Sequence, residues 1–283
     1  MGAVSTAGDV LRLRVQIEAP PEAVFKAVSE PDLMTEWLAE SVGSSPGTYE
    51  FSGRYVPRGD RPRQRLEAME PGPAVRFDWD LDGGGPSRVE LTVAPDGERH
   101  SVVTLVHDAV PADARTELEC FWHLALGNLA ARGEGFPTTP PLDFTAPAQG
   151  EVRVRTVIAL PPEEVYAALL DAERVGRWAG TTATIVPEVG GRYDLGWERG
   201  PGTITELVAD RALGYTWRHP EAAGTVVRWD LRTAQGYTYL TLAHGPFDDD
   251  GLAEELRQRW VPLLVEFKRM LELGPRWTPM AAP

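Results

Sequence analysis

An internal repeat constrains the fold of this chain more than any other feature of its sequence. The segment 17–37, IEAPPEAVFKAVSEPDLMTEW, returns at 158–178 as IALPPEEVYAALLDAERVGRW, with Ile, Pro-Pro-Glu, Val, Ala and Trp at matching positions. Shorter matches follow in the same order: GTYEF (47–51) with GRYDL (191–195), AVRFDW (74–79) with ALGYTW (212–217), VTLVHD (103–108) with LTLAHG (240–245), and the helix around Trp122 with the helix around Trp260. The sequence therefore predicts two homologous domains, over 10–132 and 151–274, joined by a Pro/Gly-rich linker at 133–150.

Each copy shows the same order of secondary-structure patterns. LRLRVQI (11–17) alternates apolar and polar residues, which is typical of a half-buried strand. Pro20-Pro21 then opens a helix, because proline is tolerated in a first helical turn. After a second short helix and about five further strand patterns, a long helix closes each copy, with Leu118, Trp122 and Leu126 on one face in the first. We therefore expect an α+β fold in which a curved antiparallel sheet wraps around the long C-terminal helix.

The composition disfavours several functional classes. Charged residues make up 25% and hydrophobic residues 42% of the chain, as in soluble globular proteins. The net charge of −14 and the pI near 4.9 disfavour nucleic acid and anionic membranes as partners, because phosphate binding needs clustered cations. No apolar run has the length of a membrane span, so we expect no membrane insertion. The single cysteine, Cys120, gives no argument for secretion, and we expect a cytoplasmic protein.

The repeated motifs resemble the SRPBCC superfamily, also called the START-like or helix-grip superfamily. The resemblance rests on IEAPPEAVF and its following Trp, on GTYEF, on the AVRFDW and VTLVHD strands and on the terminal Trp helix, and it covers both copies. Within the superfamily, both copies are similar to domains of the activator of heat-shock protein 90 ATPase family. The resemblance implies two tandem helix-grip domains, each with two short helices after the first strand and an apolar pocket between the concave sheet and the long helix. Members include lipid carriers, polyketide aromatase/cyclases and proteins that sequester reactive natural products.

Three histidines are candidates for the site. His107 and His244 end equivalent strands, in register with apolar residues that face inward. An imidazole there could orient a ligand or move a proton, but its presence in both copies favours a hydrogen-bonded histidine that holds the turn into the last helix. His123 has Val261 as its counterpart and is private to the first copy. It is therefore either a specialised site residue or part of the solvent-facing flank of the helix.

Large aromatic residues provide the remaining candidates for a pocket lining. Strand alternation directs Trp79, Trp217 and Trp229 inward, where they either fill the core or contact a ligand. The second copy is richer in such residues, which favours stacking on a flat aromatic ligand there. The predicted ligand-binding residues are Trp79, His107, Trp122, His123, Tyr193, Trp217, Trp229, His244 and Trp260.

No catalytic constellation can be recognised in the sequence, and its five histidines and one cysteine lack the spacing of a zinc site. We therefore predict no metal or cofactor, and expect binding or sequestration of an apolar or aromatic small molecule. Two alternatives remain open: a cofactor-free cyclase or aromatase of secondary metabolism, and an interaction module with a chaperone as its partner. We also expect the copies to have diverged, with one larger pocket and one mainly structural domain.

Overall fold

The computed structural model describes residues 10–43, 48–70, 74–81, 86–197, 200–218 and 224–280. These residues form two compact units. The first comprises the described residues up to Ala146 together with 278–280, and the second comprises Pro147–Trp277. Each unit holds one copy of the sequence repeat.

In the first unit, an antiparallel sheet with the strand order β1-β7-β6-β5-β4 packs against one long helix, α3. Two short strands, β2 and β3, pair with each other separately. The elements of this unit are β1 (Leu11–Ile17), α1 (Pro21–Ser29), α2 (Pro31–Met34), β2 (Ser41–Val42), β3 (Phe51–Ser52), β4 (Gln64–Glu70), β5 (Ala74–Asp80), β6 (Pro86–Pro95), β7 (Ser101–Asp108) and α3 (Arg115–Glu134).

The second unit repeats this topology around the long helix α6, with the strand order β8-β14-β13-β12-β11-β10-β9. Here the two short strands β9 and β10 join the main sheet instead of pairing separately. The elements of this unit are β8 (Val152–Ile158), α4 (Pro162–Leu170), α5 (Ala172–Ala179), β9 (Thr184–Ile185), β10 (Arg192–Asp194), β11 (Gly202–Val208), β12 (Ala212–Thr216), β13 (Val226–Ala234), β14 (Tyr237–Gly245) and α6 (Asp250–Leu273).

The predicted α+β, tandem helix-grip architecture is confirmed, including the two short helices after the first strand. The described part of each unit has six strands after these helices, against the five expected from the sequence. The additional strands, β2 and β9, are two residues long. A segment of that length cannot show the period-two alternation by which a strand is recognised.

The short helices begin where the sequence supplies suitable first residues. Pro21 and Pro162 are the first residues of α1 and α4, where the missing proline N–H costs no helical hydrogen bond. The helix α5 is capped by Asp171, whose carboxylate accepts hydrogen bonds from the backbone N–H groups of Glu173 and Arg174 at 2.9 and 3.1 Å. Both copies therefore turn from first strand to helix through the same local chemistry that makes the repeat visible.

The core of each unit lies between the concave sheet face and the long helix. In the first unit, Leu118, Trp122 and Leu126 of α3 are completely buried, as are Phe77 of β5 and Leu105 of β7. In the second unit, the buried residues of α6 and of the inner sheet face are Leu256, Trp260, Leu264, Phe267, Leu213, Tyr215, Val227, Trp229, Leu240 and Leu242. The inward orientation predicted for Trp79, Trp217 and Trp229 is present, since all three side chains are less than one-tenth exposed.

A buried tyrosine ties the sheet to the first helix in both copies. The Tyr49 hydroxyl donates a 2.9 Å hydrogen bond to the carbonyl of Val28 at the end of α1. Tyr193 does the same with the carbonyl of Leu169 at the end of α4, also at 2.9 Å. These hydroxyls are therefore engaged with the backbone, and burial raises the pKa of both.

The segment after α3 packs along the first unit. The Asn128 side chain on α3 holds Thr139 through two hydrogen bonds, accepting from its N–H at 2.8 Å and donating to its carbonyl at 2.9 Å. Further along, the Phe144 N–H donates to the carbonyl of Arg54 at 2.8 Å. These bonds hold the Phe144 ring against Phe121 of α3, with 6.4 Å between ring centroids.

A buried ion pair fastens α6 to the edge strand β8 in the second unit. Lys268 and Glu272, one helical turn apart, are 2.5 Å from each other and only 3% and 2% exposed. Lys268 Nζ also donates to the carbonyl of Val157, and Glu272 accepts from the N–H of Ala159, both at 2.9 Å. Burial raises the pKa of Glu272, and the neighbouring Lys268 opposes that rise.

We predict that Lys268→Met lowers the free energy of unfolding by about 3–5 kcal/mol, because it leaves the Glu272 carboxylate buried without its cation. The chain has one other lysine, Lys26, which is exposed on α1. Lys26→Met is therefore a matched control, with an expected effect within about 0.5 kcal/mol. Urea unfolding followed by circular dichroism measures both, and equal effects would contradict the role given to Lys268.

Candidate ligand-binding site

A hydrogen-bonded chain of side chains joins the long helix to the sheet in the first copy. The Trp122 indole N–H on α3 donates to His107 Nδ1 on β7 at 3.1 Å. His107 Nε2 lies 2.8 Å from Ser87 Oγ on β6, and this hydroxyl donates to the Trp79 carbonyl on β5 at 2.9 Å. An indole nitrogen can only donate, so His107 is the tautomer protonated at Nε2, and it donates to Ser87.

The second copy contains the same arrangement with one conservative change. Trp260 on α6 donates to His244 Nδ1 at 3.1 Å, and His244 Nε2 lies 3.1 Å from the hydroxyl of Thr225. Both histidines are completely buried. The predicted residues His107, Trp122, His244 and Trp260 are thus brought together as two structural pairs, one in each copy.

His107 is held in its neutral form. Burial lowers its pKa from 6.5 to about 3, and no carboxylate is among the contacts of its ring described above. Protonation at Nδ1 would also remove the hydrogen bond from Trp122, because that nitrogen would no longer accept. The geometry therefore suits a fixed structural imidazole and does not suit a proton carrier at neutral pH.

Aromatic side chains fill the interior of the first copy. Trp79 stacks on His107 with 5.8 Å between ring centroids and meets Trp122 edge-on at 5.9 Å. Phe121 of α3 covers this pair, 5.6 Å from Trp79 and 4.9 Å from Trp122. Phe51 lies 5.2 Å from Trp79 and stacks on Phe121 at 6.2 Å between centroids. With Phe144 placed over Phe121, the region around Trp79 is occupied by protein.

The equivalent region of the second copy is open. Counting along the helices from Trp122 and Trp260 places Arg259 where the first copy has Phe121, and counting from Tyr49 and Tyr193 places Trp197 where it has Gly53. Trp197 lies 5.6 Å from Trp217 and 6.1 Å from Trp260 between ring centroids. A cavity of about 290 Å³ opens here, and its lining consists of Trp197, Trp217, Leu256, Arg259, Trp260 and Leu263.

Trp217 adds an unsatisfied hydrogen-bond donor to this region. Its side chain is buried, and its indole N–H has no hydrogen-bond partner among the described residues. Trp217 also borders a smaller cavity of about 20 Å³, whose lining includes Tyr193, Trp197 and Arg218. Two cavities therefore meet at the Trp197 and Trp217 rings.

The other predicted site residues lie away from the larger cavity. Tyr193 is buried, with its ring stacked 4.1 Å from Tyr215. Trp229 is completely buried behind Trp260, at 6.0 Å between centroids, and Phe267 packs on it. His123 is half-buried on the flank of α3, where its Nδ1–H donates to the carbonyl of Glu119 at 2.7 Å.

Several residues of the cavity are absent from the set predicted from sequence. They are Trp197, Leu256, Arg259 and Leu263. A comparison between the two copies would have found two of them, because tryptophan stands in place of Gly53 four residues after the shared tyrosine, and arginine stands in place of Phe121 directly before the shared helix tryptophan. Positions that differ between the copies can therefore point to the cavity. The shared histidines, His107 and His244, do not.

Two further depressions are less suited to an apolar ligand. A depression of about 780 Å³ beside β11, β12 and β13 is lined by charged residues, among them Glu206 and Arg228, which pair at 2.7 Å. In the first unit, a crevice of about 150 Å³ between α1 and α3 is bordered by the ion pair of Glu36 with Arg132. Within the described ranges, no group of three or more His, Cys, Asp or Glu side chains could hold a metal ion.

The fold, repeated in both units, is that of a tandem helix-grip protein of the SRPBCC superfamily. A family model described as Activator of Hsp90 ATPase homolog 1-like protein matches the chain twice, over residues 18–134 and 159–272. The two matches together span most of the sequence, and the chain belongs to this family. A search of curated proteins found no match.

Solved structures to which this chain is similar include the Aha1 dimer from Colwellia psychrerythraea, which is 20% identical, with 44% of this chain and 98% of that chain covered and a TM-score of 0.40. CalU16 from Micromonospora echinospora is 23% identical, with 44% and 76% covered and a TM-score of 0.39. DynU16, a putative protein in the dynemicin biosynthetic locus, is 19% identical, with 95% and 99% covered and a TM-score of 0.38. Of the helices in the described ranges, none has the length and apolar character that crossing a membrane requires.

The buried state of His107 predicts a pH dependence of stability. The pKa of His107 is 6.5 when exposed and about 3 in the fold. Its contribution to the free energy of unfolding is therefore complete above pH 6.5 and is lost as the pH falls from 6.5 towards 3. Over this pH range, His107 should make the free energy of unfolding fall by about 1.4 kcal/mol for each pH unit of acidification. We expect His107→Gln to lack this component of the slope. Urea unfolding at a series of pH values measures the slope. His100→Gln, at a turn between β6 and β7, is the control and should keep the wild-type slope.

Proposed function

We propose that this protein binds a flat, largely apolar small molecule in its second copy, and that its first copy is a structural domain. The observation that carries the proposal is the cavity of about 290 Å³ between the Trp197, Trp217 and Trp260 side chains. This volume lies at the lower limit of ordinary ligand pockets, and its lining is mainly aromatic and aliphatic, as in such pockets.

The chemistry of the lining favours a planar aromatic ligand. Indole faces attract other rings, and each aromatic pair contributes about 0.5–1.5 kcal/mol beyond the burial of its area. The buried indole N–H of Trp217 lacks a partner among the described residues, but so does that of Trp79 at the equivalent position of the first copy, so this donor does not define the ligand. Flat, conjugated molecules fit the aromatic and aliphatic lining.

The same lining supports binding without chemistry. Arg259 is the charged residue of the larger cavity, and a guanidinium neither gives nor takes protons at neutral pH. Among the described residues of the second copy, His244 lies 5.1 Å from the Trp217 ring between centroids, and its two ring nitrogens face Trp260 and Thr225. A cyclase would need a proton donor or acceptor against its substrate, and the described residues that line this cavity do not supply one.

Contact with an Hsp90-type chaperone is a second candidate function, and the observation that favours it is the family to which both copies belong. An assay of Hsp90 ATPase activity with and without this protein tests it directly. Stimulation of the ATPase would support the chaperone role. An unchanged rate, with no complex detected in sedimentation, would remove it.

For the main proposal, we expect titration with the neutral fluorescent probe N-phenyl-1-naphthylamine to show saturable binding. Trp197→Ala should weaken binding by about tenfold, because it removes one wall of the cavity. Tyr237→Ala is the matched control, since Tyr237 is an exposed aromatic residue of the same copy, 38% exposed and outside the cavity lining. Equal affinities for the two variants, or no saturable binding by the wild type, would contradict the proposal.

A further inference from the structure

We propose that the ligand of the second copy is an aromatic anion, a flat ring system with a carboxylate or a similar oxyanion at one end. This inference rests on the proposed function, because it concerns the same cavity. Its basis is a pair of arginines, Arg259 and Arg218, which border the two cavities that meet at the Trp197 and Trp217 rings.

Arg259 places a cation at the wall of the larger cavity. It lies one residue before Trp260 on α6, and its side chain is 48% exposed. Its partner is Glu255, one helical turn earlier, at 2.6 Å and 47% exposed. Ion pairs at such exposure are weak, so a ligand anion can replace Glu255 at little cost.

Arg218 places a second cation at the smaller cavity, which Trp197 and Trp217 also border. It directly follows Trp217, is exposed, and borders the cavity of about 20 Å³. Among the described residues, no hydrogen bond or ion pair of its side chain is found. The acid among the described lining residues of that cavity is Asp194, which pairs with Arg192.

Both arginines are private to the second copy. The first copy has Phe121 at the position of Arg259, and Asp80 at the position of Arg218, directly after Trp79. The second copy therefore has a cation where the first has the apolar Phe121, and a positive charge where the first has the negative charge of Asp80. The aromatic scaffold around them, Trp79 and Trp122 against Trp217 and Trp260, is shared.

The negative net charge of the chain bears on the role of these two arginines. The protein has 42 acidic and 28 basic residues and a net charge of −14, so its general field repels anions. An acidic protein that binds an anion needs cations at the site itself. A guanidinium suits this role because it bonds a carboxylate through two parallel N–H groups and stacks on flat rings.

The experiment compares 2-naphthoate with its neutral methyl ester on the full-length protein, by quenching of tryptophan fluorescence at low ionic strength. We expect the wild type to bind 2-naphthoate about tenfold more tightly than the ester, and the difference to shrink as salt is added. Arg259→Gln should lower the affinity for 2-naphthoate about tenfold and leave that for the ester within about twofold. Arg218→Gln should show the same selectivity with a smaller effect, because its side chain is exposed. Arg61→Gln, an exposed arginine of the first copy, is the control for loss of one positive charge.

Each outcome has a distinct meaning. Loss of the preference for 2-naphthoate in Arg259→Gln, with the ester still bound, supports the inference. Equal binding of acid and ester by the wild type overturns it and leaves the proposed function standing. A preference for 2-naphthoate that survives both arginine substitutions also overturns the inference, because a group other than these arginines then binds the carboxylate. If neither compound binds the wild type, the proposed function itself fails.

Discussion

In each copy, a tryptophan on the long helix donates a hydrogen bond to a buried imidazole on the last strand, and much of the remaining structure depends on this contact. In the first copy it continues from Trp122 through His107 and Ser87 to the carbonyl of Trp79, so that it joins α3 to three neighbouring strands. All of these polar atoms are buried, and a buried polar atom without a partner costs about 1–3 kcal/mol. Displacement of the helix along the sheet would break these hydrogen bonds, so the contact specifies the position of the helix on the sheet.

Because this contact is the same in both copies, the two interiors can differ without a change of fold. Trp79 and Trp217 both lie beside their histidines, at 5.8 and 5.1 Å between ring centroids, although Trp79 stacks on its histidine and Trp217 meets its histidine edge-on. The copies differ in the side chains that pack on these two tryptophans. Phe121, backed by Phe144, covers Trp79, whereas Arg259 leaves Trp217 at the border of a cavity. Among the described residues, the space beside Trp79 is thus filled by side chains, and the space beside Trp217 holds a cavity.

Membership in the activator of Hsp90 ATPase homolog 1-like family accounts for the architecture, and the site has to account for the function. The buried histidines, which are the residues that sequence alone brings to notice, have both ring nitrogens directed at neighbouring side chains. Half of the cavity lining has identical counterparts in the first copy, and the cavity opens where Trp197 and Arg259 stand in place of Gly53 and Phe121. Function in this chain is therefore best sought in the difference between the copies, and Trp197, Arg218 and Arg259 are the residues that express it.

The sequence by itself determined the two domains, the order of their main elements and the side of each strand that faces the core. It could do so because the repeat, the alternation of LRLRVQI and the inward parity of Trp79, Trp217 and Trp229 are local properties of the chain. Only the tertiary structure decided that His107 accepts from Trp122, that Phe144 of the linker covers Phe121, and that Trp197 borders a cavity. Periodicity reports which face of an element is buried. Whether the buried space is filled depends on side chains that are distant in sequence and meet only when the sheet closes on its helix.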